Sequence, residues 1–108
     1  MKAPKFLIVN GEIRMANVEF HYELLPKSYI KISGGGRYYV DEADKRIILY
    51  GSSNDYKSAS RADILNALPI SLISPFYEGY KFYISSAEWQ SDAMKDCKHR
   101  QQEDWLYA

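Results

Sequence analysis

Few residues in this chain have the types and spacing to do chemistry at neutral pH. His21 lies in "NVEFHYELLP", and an imidazole is the side chain whose proton exchanges near neutrality. The loop "YGSSNDYKSAS", Tyr50 to Ser60, joins a predicted strand to a predicted helix, where free N–H groups and the helix dipole favour an anion. Within it Gly51 permits a close turn, Ser52 and Ser53 offer hydroxyls, and Lys57 adds a cation. "GGGR", Gly34 to Arg37, adds a second cation beside three residues that let a backbone pass close to a ligand. Each has a plainer reading. Glycine and serine populate any turn, Ser58 or Ser60 serves as a helix cap, three glycines accommodate a bulge, and His21 is a hydrogen-bonded core residue. His99, between Lys98 and Arg100, reads as a solvated member of a charge run.

These residues must be positioned by a single domain, because 108 residues enclose one modest core. Apolar residues make up 46% and charged residues 26%, a globular rather than disordered balance. Fourteen basic side chains face fourteen acidic ones, so general nucleic-acid binding is not expected, while one local anion site remains open. Cys97 is the only cysteine, and no Cys or His spacing suits a metal. With no apolar leader or membrane-length run in the sequence, this favours a cytoplasmic, metal-free protein.

Hydrophobic patterning places the elements. "KFLIVNGEIRMA" is a strand, an Asn10-Gly11 turn and a second strand. Asn17 is expected to cap a first helix carrying Val18, His21, Leu24 and Leu25 on one face, stopped by Pro26. "SYIKIS" is a strand ended by the glycines; "RYYV" and "KRIILYG" form a hairpin about "DEAD". Ser60 and Asp63 cap a second helix that Pro69 ends, and "YKFYIS" is the last strand. The expectation is an α+β fold: one mixed sheet of about six strands with two helices packed on it. Residues 1–86 form the domain. Residues 87–108, with Trp89 and Trp105, form a tail that docks as a helix or makes an interface, including a homo-oligomeric one.

The block running from "GGGR" through Lys45 and Ile47 to "YGSSNDY" resembles the fourteen-kilodalton phosphohistidine phosphatase family, which includes the janus and ocnus proteins. "VEFHYEL" is similar to that family's segment around its catalytic histidine, and Lys5 stands where the family has a basic substrate-binding residue. The resemblance spans Lys5 to Ser85. It implies a phosphatase needing no cofactor, with His21 and Lys5 as catalytic residues. It implies that Ser53 and the backbone around it cradle the phosphate with Arg37 in support; the wider set expected to bind phosphate or another ligand is Tyr22, Arg37, Gly51, Ser52, Ser53, Asp55, Tyr56 and Lys57. The chain departs from the family where Tyr56-Lys57 replaces a closing Tyr-Gly and where Asp55 replaces a small residue. A carboxylate within about 4–6 Å of a phosphate would oppose it unless it points away.

Two functions follow from these residues. One is a phosphohistidine or phosphoramidate phosphatase acting on a phosphohistidine protein. The other is a non-catalytic protein, such as a bacterial or phage modulator, that captures a phosphorylated small molecule, nucleotide or phosphopeptide. Ten tyrosines supply faces for stacking, though tyrosine also simply suits a half-buried sheet. A third reading is an oligomerisation module built on the tail.

Overall fold

The computed structural model describes residues 2–71, 79–98 and 106–107. The elements are β1 (Ala3–Val9), β2 (Glu12–Val18), a 3₁₀ turn (His21–Leu24), β3 (Ile32–Asp41), β4 (Arg46–Tyr50), α1 (Arg61–Ser71), β5 (Lys81–Ile84), α2 (Gln90–Lys98) and β6 (Leu106–Tyr107). They build one sheet in the order β2-β1-β3-β4-β5-β6. Five strands have four or more residues, and β6 is a two-residue edge. The sheet is mixed because β4 and β5 run parallel through the α1 crossover while the other neighbours are antiparallel. This is the α+β arrangement with two α-helices. Among the described residues no helix is long and apolar enough to cross a membrane.

Alternation along the central strands sends side chains to two buried faces. Phe6 and Ile8 of β1, with Ile47 and Leu49 of β4, pack against Ile64, Ala67 and Leu68 of α1. On the opposite face Leu7 and Val9 sit under Leu24 of the 3₁₀ turn. Further along that face Ile48, Tyr50 and Tyr83 sit under Ala93 and Cys97 of α2. Both faces are covered, which is why "FLIV" and "IIL" read as unbroken apolar runs. The part of the tail in α2 is thereby docked on the sheet.

Four local expectations need correction or extension. The first helix does not form: Asn17 pairs with Pro4 and Val18 with Ala3, so β2 continues through the expected cap. A helix over these residues would give up those ladder bonds, and Pro26 leaves it no room to recover them. Leu25 is already extended (φ −75°, ψ 136°), the conformation a following proline favours. Only the 3₁₀ turn remains, closed by a hydrogen bond from the Phe20 N–H to the Glu23 carboxylate.

The glycines do not end a strand either; they lie within β3. The β1–β3 register shifts where Ile8 faces Gly34 and Val9 faces Ile32, a bulge with Gly34 at φ +126°. The second helix starts as expected, Ser60 Oγ accepting the Asp63 N–H at 3.1 Å, but continues past Pro69 to Ser71. Finally, β5 is followed by one more strand, β6. The Asn10-Gly11 turn is as expected, with φ of +54° and +76° joining Val9 to Glu12.

Candidate functional site

His21 opens the 3₁₀ turn and is buried on the face of the sheet that carries Leu7. Its Nε2 lies 2.8 Å from the Gly36 carbonyl oxygen. A carbonyl only accepts, so Nε2 carries a proton, and in the neutral ring the lone pair is on Nδ1. The ring lies this close to β3 because residue 35 has no side chain. A Cβ there would sit 3.2 Å from His21 Cδ2 and 2.5 Å from the Phe6 carbonyl oxygen. Gly36 is as constrained, its missing Cβ falling 2.6 Å from the Tyr50 carbonyl oxygen and 2.8 Å from the Phe6 ring. The glycine run is thus a bulge at its first member and a close-approach surface at the next two.

Two cations stand beside the ring. Lys5 of β1 is directly opposite Arg37 of β3, and Arg37 is directly opposite Tyr50 of β4. Directly opposite residues share a face, so Lys5, Arg37 and Tyr50 form a row across three strands. Lys5 is buried and its Nζ donates to the Val18 carbonyl at 2.7 Å. Burial and the neighbouring Arg37 lower the Lys5 pKa, partly offset by Glu23 and Glu19. The Arg37 side chain is exposed.

Burial first, then the charges of Lys5 and Arg37, push His21 below its ordinary pKa of 6.5, against the opposing hydrogen bond to Gly36 and the weaker pull of Asp55. The neutral ring is therefore favoured at pH 7. Among the described residues no buried side-chain nitrogen or oxygen lacks a partner.

The loop after β4 reaches the same neighbourhood by being stitched to β3. The Gly35 N–H donates to the Lys57 carbonyl, and the Ala59 N–H donates to the Gly35 carbonyl. Lys57 is exposed at φ +62°. Tyr56 is half-buried among Leu7, Val9 and Leu24, and burial raises its pKa. Asp55 is exposed, and its charge reaches the imidazole.

The two hydroxyls expected to hold a phosphate have internal duties. Ser53 is buried and its Oγ accepts the Tyr56 N–H at 3.2 Å, while Ser52 Oγ donates to Glu88 at 2.7 Å. Gly51, at φ +74°, is tied to Ala87 by its N–H and lies against the Arg37 stem. Tyr22 is exposed and stacked on Phe20 with ring centroids 5.3 Å apart.

His21, Lys5, Arg37 and Asp55 are thus brought within electrostatic reach of one another. Tyr56 and Ser53 hold the loop, and Tyr22 lies on the exposed flank. His99 lies outside the described residues. Sequence reasoning missed Tyr50 as part of the cationic row, and Glu88 as the partner of Ser52 across thirty-six positions. No local spacing carries a contact of that range. Among the described residues no group of three or more His, Cys, Asp or Glu side chains is arranged to hold a metal ion.

A cavity of about 470 Å³ opens beside this region, past the ends of β4 and β5. Tyr50, Gly51 and Ser58 line it, while His21 and Ser53 do not. No family model, curated protein or solved structure matches the chain.

Proposed function

We propose that this protein is a phosphohistidine or phosphoramidate phosphatase-like enzyme that binds a phosphoryl group at His21, Lys5 and Arg37. The observation that supports the reading is a neutral imidazole beside two cations, with its proton engaged at Gly36. In that state Nδ1 serves as nucleophile or base. It does not serve as the acid that protonates a leaving amine, since it holds no proton. As nucleophile, Nδ1 forms a bond to phosphorus as the labile P–N bond breaks, and the departing amine takes its proton from solvent. Water then hydrolyses the phosphoimidazole. Arg37 and Lys5 offset the phosphoryl charge, which is the larger part of catalysis in phosphoryl transfer. The buried Cys97 fits the cytoplasmic setting expected from composition.

The test is release of inorganic phosphate from phosphorylated polyhistidine or phosphoramidate by the purified protein without added metal. His21→Ala is expected to lower turnover by about 100-fold or more, the range of a positioned acid–base or nucleophilic group. Undiminished turnover in a folded His21→Ala protein would falsify the assignment.

A second reading has its own support. The exposed Arg37, whose charge reaches the ring, suits a non-catalytic site for a phosphorylated ligand, with Ser52 and Ser53 engaged by Glu88 and Tyr56 rather than by the phosphate. It calls for no turnover and a higher melting temperature with phosphorylated compounds, since a ligand of the folded state stabilises it. Arg37→Ala is expected to abolish that shift.

A further inference from the structure

The cavity past β4 and β5 belongs to neither reading. It lies outside the carboxyl ends of two parallel strands joined by a crossover helix, the position at which open α/β sheets hold ligands. One side is apolar: Phe6, Leu49, Ile64 and Ile84. The other side carries Tyr50, Tyr83, Ser85, Glu88 and Asp96.

What this polar side presents is set by where its protons already go. Tyr83 and Ser85 both donate to Asp96 Oδ2, at 2.9 and 3.1 Å. Tyr50 donates to Gln90 Oε1 at 3.4 Å. Ser52, next to the lining residue Gly51, donates to Glu88. These four hydroxyl protons are thus committed inside the protein, so Tyr50, Tyr83 and Ser85 offer the cavity oxygen lone pairs beside two carboxylates, while Ser58 and Ser86 add hydroxyls of their own. One exposed cation, Arg61, lines it as well. The wall is also pre-organised: the Ala87 N–H donates to Ser85 Oγ, the Ser85 N–H to the Leu49 carbonyl, and the Gly51 N–H to the Ala87 carbonyl.

We infer that the cavity is a binding site for a small organic cation, an ammonium or guanidinium group on an apolar or aromatic body. The donor-rich head faces Asp96, Glu88 and the tyrosine oxygens, and the body covers Phe6, Leu49 and Ile64. A volume of about 470 Å³ falls within the range of small-molecule sites. The site stands independently of the phosphoryl reading.

The experiment is an amide NMR titration of the whole chain with phenethylamine and, separately, with phenylpropionate at constant ionic strength. These probes share an aromatic body and differ in the sign of the head. Phenethylamine is expected to shift the amides of Gly51, Ser85 and Ser86 saturably, and phenylpropionate is expected to leave them in place. Glu88→Gln, a change at an exposed side chain, should weaken the amine about threefold, the size of one partly exposed charge. His21→Ala should leave its affinity unchanged. Equal response to both probes, response to neither, shifts mapping away from these amides, or an unaltered affinity in Glu88→Gln overturns the inference. The native amide spectrum reports in each case that the variant is folded.

Discussion

The imidazole region and the crevice past β4 and β5 share a border at Tyr50 and Gly51 but are built on opposite principles. Around His21 the backbone is the instrument. Three glycines in β3 remove side chains so that a ring, a carbonyl and the following loop lie directly on the strand, and the charges that act most strongly on the ring are those of Lys5 and Arg37, against a weaker Asp55. Around the crevice side chains are the instrument. Hydroxyls spend their protons on Asp96, Gln90 and Glu88, and the charge is mainly negative. One sheet therefore carries a cationic site and an anionic one side by side. The sign of each follows from which residues the register aligns rather than from the net charge, which is zero.

The sharpest way to break this contrast is Gly35→Ala. Its Cβ would meet the Phe6 carbonyl and the His21 ring, and a strand backbone inside the sheet has little freedom to yield. The expected loss is about 3 kcal/mol, at the upper end of overpacking effects, read from urea denaturation. A loss below about 1 kcal/mol would show that close approach is not what the glycines provide.

On the crevice side Tyr83→Phe removes one of the two hydroxyls on Asp96, and a loss of about 1–2 kcal/mol is expected in the same assay. His21 offers a pH test. Folding lowers its pKa below 6.5, so as pH falls the unfolded chain takes up the proton first. Native stability should decline from about pH 6.5 down to the lowered folded value and be insensitive to this group above 6.5. Melting temperatures of His21→Gln should lack that part of the decline; an identical pH profile in both proteins would contradict a buried neutral imidazole. The smallest effect is Ser52→Ala. Its bond to Glu88 is exposed, and the change should stay within about 0.5 kcal/mol.

Several elements were legible because their signals are local. Asn10-Gly11 forms its turn since both residues tolerate positive φ, and Ser60 caps α1 through Asp63 three residues on. Competition from the sheet decided the region around His21. "NVEFHYELL" has a helical face, yet pairing Asn17 and Val18 with β1 left only four residues for a 3₁₀ turn. The glycines marked an unusual place without revealing which use each has, because that depends on Phe6, His21 and Tyr50 arriving from elsewhere. Ser52 and Ser53 were legible as polar loop residues; their engagement with Glu88 and Tyr56 was not.

By itself the chain determined the alternating strands, the tight turn, the cap of α1 and the identity of the one imidazole in the first quarter of the chain, all legible within a few positions. Only the tertiary structure decided that Lys5 and Arg37 flank that ring, that its proton sits on Nε2, and that Tyr83 and Ser85 converge on Asp96. The physical reason is range. Dihedral preference and periodicity act along the backbone, whereas register, burial and shared protons arise only once distant strands are laid side by side.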